Sequence, residues 1–241
     1  MNTESATMRV YVDRNQIRPY TPDGSAALPY KTIAEALAGL RDASIDSAPT
    51  QIPTIIVLNG DYSSEPTLVI DRQVVIAADG IGSCLFPAIE IGSYCKICNA
   101  TFPTLAMGAP TFAAIENCNN FVATITGSAA LILKDCSGIV NLNNGSLLAT
   151  NSTISLSITV DPADPDVGDA DVKASADLRN CILDGLAFAQ EDDATATLLL
   201  QNCNGTASFT VPAELITSMR HCYLPSIGGS VFQAVYSYWV D

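Results

Sequence analysis

The sequence predicts an all-β fold in which the chain winds as a parallel β-solenoid behind one short N-terminal helix. Three observations lead to this fold class. Apolar residues make up 48% of the 241 residues and charged residues 15%, a composition typical of a buried, strand-rich protein. A short motif that ends in cysteine recurs about every 20 residues, the period of a coiled repeat. Within each copy, apolar and polar residues alternate as they do along a strand.

The repeat is clearest between residues 113 and 222. Successive equivalent positions are 18, 16, 29, 22 and 19 residues apart, so each copy is predicted to lie directly on the one before. CKIC at 95–98, followed by Asn99, is a looser copy. Aligned on the cysteine, the copies are AAIENC (113–118), LILKDC (131–136), LATNS (148–152), ADLRNC (176–181), LLLQNC (198–203) and SMRHC (218–222).

Each copy is predicted to turn at the residue before the cysteine. Asn and Asp tolerate a left-handed backbone conformation, which turns the chain and shifts the inward and outward alternation by one residue. The cysteine then points inward again and packs just behind the corner. In the last copy His221 takes the place of Asn. We therefore expect a structural ladder of corner residues and thiols that consists of Asn117, Asp135, Asn151, Asn180, Asn202, Cys118, Cys136, Ser152, Cys181, Cys203 and Cys222.

The chain is predicted to have three parts. Residues 1–30 form an N-terminal arm with the first strand, residues 31–42 a capping helix, and residues 52–241 the β-helix. Segment 161–171 (DPADPDVGDAD) is rich in Pro, Asp and Gly and is predicted to be an inserted loop. The aromatic segment 231–241 (VFQAVYSYWVD) is expected to close the C-terminal end or to contact another subunit.

The predicted helix has a recognisable start and a single apolar face. Thr32 and Glu35 form a capping box, and Ile33, Leu37 and Leu40 fall on one side. This face is expected to cover the end of the solenoid, where strand edges and apolar interior would otherwise meet water.

Residues 9–80 resemble the opening of the pectin-lyase-like superfamily of right-handed, single-stranded parallel β-helices. The matching segments are RVYVD (9–13), PDGSAALPYKTIAEALAGL (22–40), TIIVLNGDY (54–62) and LVIDRQVVIAADG (68–80). The resemblance implies a first strand, a Pro-aromatic-Lys-Thr-Ile segment leading into a short helix, and a corner of the Gly-x-Tyr type. It also implies side-by-side trimers, which are common among parallel β-helices.

Charge excludes several classes of partner. The formal net charge is −14, with only 11 Lys and Arg, which disfavours binding to nucleic acid or to an anionic membrane. The N-terminus shows no basic segment followed by an apolar one, and no apolar run is long enough to span a bilayer. We expect a soluble chain that is not exported. Its eight cysteines are then expected to be free, buried thiols rather than disulfides.

No catalytic, cofactor or metal site is predicted. Sugar-cleaving members of the superfamily use carboxylate clusters, yet the ladder neighbours of Asp135 are amides and the neighbours of Glu116 include Lys134. His221 is the only histidine and has no identifiable catalytic partner. Cys95 and Cys98 form only half of a zinc knuckle. The carboxylates of loop 161–171 suit calcium chemically, although a solvated insertion is the expectation.

A charge-poor flank suggests an interface. Between Ile97 and Leu133 the only charged residue is Glu116, although a solvent-facing surface usually carries more charge. We expect part of this flank to be covered by another chain; the alternative is a neutral surface rich in Thr and Ser on a monomer. The aromatic residues proposed to contribute to oligomer contacts are Phe102, Phe112, Phe121 and Trp239.

These features favour a non-enzymatic structural protein. The specific expectation is a homotrimeric β-helix attached to a larger particle, most specifically a phage capsid decoration or stabilisation protein or another virion component, made in the host cytoplasm and located in the virion. Its partners would be capsid or other virion proteins, with no cofactor. The alternative is a carbohydrate-binding or polysaccharide-degrading β-helix module, such as a tailspike fragment. A cell-surface carrier or adhesin is a third possibility, which the missing export signal disfavours.

Overall fold

The structure, a computed structural model, confirms the parallel β-solenoid with one short helix. It describes residues 9–17, 19–43, 52–160, 173–190, 195–206, 209–211, 215–224, 227–229, 233–235 and 238–239. The predicted inserted loop 161–171 and residues 1–8 of the predicted arm lie outside these described residues.

Two long sheets, which we call sheet A and sheet B, run along the column. All of their strand pairs are parallel, and most turns of the chain add one strand to each sheet. In spatial order, sheet A consists of β1 (Arg9–Val12), β2 (Thr54–Val57), β5 (Val74–Ala78), β8 (Cys95–Cys98), β11 (Phe112–Glu116), β13 (Ala130–Lys134), β15 (Ser146–Thr150), β17 (Lys173–Arg179), β19 (Thr195–Gln201), β22 (Leu215–Arg220) and β25 (Gln233–Val235).

Sheet B covers the opposite side of the interior. Three short strands, β3 (Gly60–Asp61), β6 (Cys84–Leu85) and β9 (Ala100–Thr101), pair beside its main path, and β21 (Phe209–Val211) and β24 (Ile227–Gly229) form a separate pair. The main path of sheet B consists of β4 (Leu68–Ile70), β7 (Ile89–Ile91), β10 (Thr104–Met107), β12 (Asn119–Thr126), β14 (Ser137–Asn143), β16 (Thr153–Val160), β18 (Ile182–Gln190), β20 (Asn204–Gly205), β23 (Tyr223–Leu224) and β26 (Tyr238–Trp239).

The strand registers confirm the sequence alignment of the repeats. Ile115 lies opposite Leu133, and Leu133 opposite Ala149. Ala149 then lies opposite Leu178, which completes the 29-residue step across the predicted insertion. These positions are buried, whereas the following residue of each copy faces outward. The alternation therefore stacks rows of apolar side chains along the interior.

Helix α1 (Ile33–Ala43) packs on the N-terminal end of the column, against β1, β2 and β4. Its buried residues are Ile33, Ala36, Leu37 and Leu40, the face that the sequence predicted. The capping box is present. The Glu35 backbone N–H donates to Thr32 Oγ1 over 3.0 Å, and the Thr32 N–H donates to Glu35 Oε2 over 3.2 Å.

The described part of the N-terminal segment belongs to the column. Strand β1 pairs with β2 at the edge of sheet A, and the chain folds back so that Tyr30 bridges Val12. The Tyr30 N–H donates to the Tyr11 carbonyl over 2.8 Å. Residues 9–12 are therefore the first strand that the sequence predicted.

An interior row of aromatic rings corrects two predicted oligomer contacts. Phe102 and Phe121 are each only 1% exposed, and their rings stack with centroids 5.2 Å apart. Tyr62 and Phe86 continue the row, edge to face, at 6.5 Å. Phe121 turns inward because Asn120, which has a positive φ of 57°, adds one residue to its strand and shifts the register. The prediction that Phe102 and Phe121 lie at an interface was therefore wrong.

The other two predicted contacts have different outcomes. Phe112 is partly exposed and stacks on Tyr94, with ring centroids 5.4 Å apart and planes 9° from parallel. Its part in an oligomer contact remains a prediction. Trp239 pairs through its backbone with Leu224 in sheet B, but its side chain is not among the described ones.

Candidate functional site

The corner between sheets A and B repeats with the geometry that the sequence predicted. The residue before each ladder thiol, or before the Ser152 hydroxyl, has a positive φ between 51° and 54°. These residues are Asn117, Asp135, Asn151, Asn180, Asn202 and His221. This conformation costs Asn and Asp less than most residues. Backbone bonds continue across the corner: the Asn117 N–H donates to the Lys134 carbonyl over 3.0 Å, and the Ser137 N–H donates to the Cys118 carbonyl over 3.0 Å.

The corner amides form two runs of hydrogen bonds along the column. Asn117 Nδ2 donates to Asn99 Oδ1 over 3.2 Å. In the second run, Asn180 Nδ2 donates to Asn151 Oδ1 over 3.4 Å, and Asn202 Nδ2 donates to Asn180 Oδ1 over 3.1 Å. Asp135 lies between the two runs. Its carboxylate cannot donate to Asn117, so the ladder is interrupted there.

The ladder thiols bond to backbone carbonyls inside the corner. Cys136 Sγ donates to the Lys134 carbonyl over 3.2 Å and to the Ile115 carbonyl of the preceding coil over 3.3 Å. Cys181 and Cys203 repeat this pattern. Ser152 replaces a thiol with a hydroxyl, which donates to the Thr150 carbonyl over 2.8 Å and accepts the Cys136 N–H over 3.1 Å. Each of these positions therefore holds a small side chain with a hydrogen-bonding atom.

Sequence reasoning missed the N-terminal continuation of this ladder. Ala100 lies one coil before Cys118, and its N–H donates to Cys118 Sγ over 3.4 Å. Cys84 lies opposite Ala100 and is fully buried. The motif is hard to see here because Ala replaces Cys in one coil and Ser83, rather than Asn, precedes Cys84 in the other. The sequence signal that could have found Ala100 is Asn99, which takes the left-handed corner position before it.

The thiols of the ladder fall into two groups: burial keeps those of the N-terminal coils protonated, whereas hydrogen bonds with the Cys203 thiol lower the pKa of Cys181 and of Cys222. Burial raises the pKa of Cys118 and of Cys95 to about 12, and burial also raises the pKa of Cys136. Because the thiolate is the nucleophile and the metal ligand, a buried neutral thiol is inert. The ladder geometry thus suits a structural role.

The CKIC segment is a strand whose two cysteines face opposite ways. Cys95 is buried and Cys98 is partly exposed, on alternate sides of β8. The pair therefore cannot chelate a single ion without rearrangement of the strand. Among the described side chains, no group of three or more His, Cys, Asp or Glu is arranged to hold a metal.

A second carboxylate at the helix start was also missed by sequence reasoning. The Ile33 N–H donates to Glu65 Oε2 over 3.2 Å, and burial raises the pKa of this glutamic acid. Glu65 therefore helps to cap the helix. The two residues are 32 positions apart, and no local pattern links them.

The outer face of sheet A is charged. It carries two ion pairs, Lys96 with Glu116 at 2.8 Å and Arg179 with Asp177 at 2.7 Å. Lys134 and Arg220 add exposed cations in the same outward row. Glu116 thus lies beside lysines on both neighbouring strands, in agreement with the expectation that it is not part of a carboxylate cluster.

The outer face of sheet B has the opposite character. We define the sheet B face as the outward side chains of β10, of β12 from Val122, of β14 from Ile139, of β16 from Ser155 and of β18 from Gly185. None of these residues is charged, and most are small: Thr104, Ala106, Val122, Thr124, Thr126, Ile139, Asn141, Asn143, Ser155, Ser157, Thr159, Gly185, Ala187 and Ala189. Two exposed carboxylates, Glu90 of β7 and Asp184 of β18, lie at its borders.

Two shallow grooves lie on this side of the column. One, of about 360 Å³, is bordered by Glu90, Pro110, Thr111 and Thr124, among others, and Glu90 is the only carboxylate that lines it. The other, of about 300 Å³, lies over Gly185 between Ile139 and Ala187.

Within the described part of the chain, no helix has the length and apolar character needed to cross a bilayer. Comparisons with protein-family models, curated proteins and solved structures find no match to this chain.

Proposed function

We propose that this chain is a non-catalytic structural β-helix that assembles with copies of itself, as a homotrimer, on a larger particle. The most specific form of the proposal is a phage capsid decoration or stabilisation protein, or another virion component. The trimer and the virion location come from the resemblance to pectin-lyase-like helices, so the proposal extends a likeness of fold to function.

The observation that carries the proposal is the bonding of the corner ladder. Its amides bond to amides of the preceding coil, as Asn202 does to Asn180. Its thiols bond to carbonyls of their own and the preceding coil, as Cys136 does. The polar side chains that recur in the sequence are therefore used to hold coils together. Such a column suits mechanical support and the display of its side faces.

The test is binding to an assembled particle. Purified protein would be sedimented with capsids built from the capsid protein encoded in the same genome, and with the same capsid protein before assembly. We expect co-sedimentation with capsids in a fixed stoichiometry and none with unassembled capsid protein. Failure to bind any such particle would refute the virion role.

A carbohydrate-binding module is the second candidate, favoured by the groove at Glu90. Its rim of threonines and one carboxylate could hydrogen-bond a sugar. Retaining hydrolysis needs two carboxyl groups about 5 Å apart, so a single glutamate fits binding better than cleavage.

A glycan array separates the two candidates. Binding to a polysaccharide that is lost in Glu90→Gln would establish the carbohydrate function. The control is Glu116→Gln, which changes a carboxylate on sheet A instead. The structural proposal expects no glycan to be bound by the wild type or by either variant.

A further inference from the structure

The sheet B face stands out because it lacks charge in a strongly acidic chain. None of its 14 outward residues is Asp, Glu, Lys or Arg, whereas the chain as a whole carries 25 acidic and 11 basic residues. The outer face of sheet A, by contrast, bears charged residues from Lys96 to Arg220. A solvent-facing surface normally mixes charges of both signs.

The shape of this face also suits close contact. Its strands pair without interruption from β10 to β18, and strands in such a sheet lie about 4.8 Å apart. Most of its side chains are short, so another surface can approach closely. Ile139, 46% exposed, protrudes at the edge of the groove over Gly185. The face therefore presents an exposed apolar side chain beside a shallow groove.

Charge identifies the partner that this face fits. A basic partner would bind where the acidic residues of the chain lie, not on an uncharged sheet. A second copy has the same net charge of −14 and is repelled wherever carboxylates meet, since like charges brought together in an interface are strongly unfavourable. An uncharged surface allows copies to pack together without bringing carboxylates into contact with one another.

We propose that the sheet B face is the surface through which copies of this chain pack side by side. The inference rests on the proposed function, which requires self-assembly, and it adds the location of the contact. The sequence predicted an oligomer contact at Phe102 and Phe121, which are buried. The sheet B face takes their place as the expected contact surface.

The test places two glutamates on one sheet or on the other. Thr124 and Ser157 lie on the sheet B face with Asn141 between them. Thr150 and Gln201 lie on sheet A in the same relation, with Arg179 between them. Thr124→Glu with Ser157→Glu, and Thr150→Glu with Gln201→Glu, both make the net charge more negative by two.

Sedimentation velocity from about 1 to about 100 µM protein measures assembly, because subunit exchange follows mass action. We expect the wild type and the sheet A variant to be oligomers. The sheet B variant should be a monomer, or should associate on the order of a hundredfold more weakly. Circular dichroism and thermal unfolding would verify that both variants fold. If the sheet B variant does not fold, Thr124→Arg with Ser157→Arg is the second test, with the same expected dissociation.

Three results would overturn the inference, and they differ in what they leave standing. An oligomeric sheet B variant would show that the sheet B face is not the contact between copies, although the protein still self-assembles. A monomeric wild type would refute self-association, and capsid sedimentation would then decide the virion role separately. A monomeric wild type that binds capsids, with a sheet B variant that does not, would assign the face to another protein.

Discussion

Asn202 donates a hydrogen bond from its Nδ2 to Oδ1 of Asn180, one coil earlier, over 3.1 Å. Asn180 donates in the same way to Asn151. The direction is uniform, so each corner amide needs an NH₂ group that points toward the preceding coil. The interruption at Asp135 follows directly, because a carboxylate has no such donor.

Replacing that carboxylate with an amide should add the missing donor and link residue 135 to Asn117. We expect Asp135→Asn to raise the free energy of unfolding by about 0.5–1.5 kcal/mol, the net contribution of one hydrogen bond. Chemical denaturation at low and at high salt measures it. A gain that disappears at high salt would mean that relief of charge repulsion, not a new bond to Asn117, explains the effect. Asn180→Asp should have the opposite sign.

The hydroxyl of Ser152 satisfies two buried backbone groups at once. Ser152→Ala would leave the Cys136 N–H and the Thr150 carbonyl with one partner fewer, which should lower the free energy of unfolding by about 1–3 kcal/mol. Ser152→Cys should lower it less, because thiols fill the equivalent position in neighbouring coils. Equal losses in the two variants would contradict this, because they would show that a thiol does not replace the hydrogen bonds of the hydroxyl at this site.

Gly138 makes room for the end of the interior aromatic row. A Cβ at this position would lie 2.6 Å from the Phe121 carbonyl oxygen and 3.0 Å from its ring. Gly138→Ala should therefore destabilise the protein by about 1–3 kcal/mol, as overpacking does. The matched control is Gly185→Ala, whose Cβ would lie 3.5 Å from Ser155 Oγ, and we expect its effect to stay within about 0.5 kcal/mol. Thermal and chemical unfolding of both variants measure the difference.

Because the Cys118 thiol is buried and neutral, we expect the folded protein to lose stability at high pH. Cys118 has a folded-state pKa of about 12, whereas an exposed thiol titrates near about 8.5. Above that lower value the unfolded chain releases a proton that the folded chain retains. This contribution to stability is therefore complete below about pH 8.5 and falls as pH rises toward about 12.

The expected slope is about −1.4 kcal/mol per pH unit for each such thiol. Urea unfolding between about pH 9.5 and pH 11 in reductant measures the total slope, to which other groups also contribute. Cys118→Ala removes one thiol, so its slope should be shallower by about that amount. Identical slopes for the wild type and this variant would contradict the protonation of Cys118 in the folded state.

The parts of the fold that the sequence predicted well are those that a local rule determines. Each left-handed corner shifts the alternation of inward and outward side chains by one residue. The positions of Asn117 and Cys118 therefore determine which residues before and after the corner face inward. This is why even the 29-residue step between Ala149 and Leu178 aligned correctly.

The errors arose where a local rule was broken or absent. Asn120 adds a second left-handed residue just past the corner and turns Phe121 inward, against the simple alternation. The capping contact of Glu65 with Ile33 depends on two distant segments that meet only in the folded chain. The uncharged sheet B face was anticipated only as a charge-poor stretch, because the strands that form it are separated by sheet A strands in the sequence.

The most direct test of the central claim is a count of reactive thiols. The eight cysteines are free, and all except Cys98 are buried. A chromogenic thiol reagent, used without reductant or added metal, should find all eight thiols in denaturant and at most Cys98 reacting rapidly in the folded protein. Fewer than eight in denaturant would reveal disulfides or other modification, and rapid reaction of Cys118 or Cys136 in the folded protein would contradict a stacked column held together at its corners.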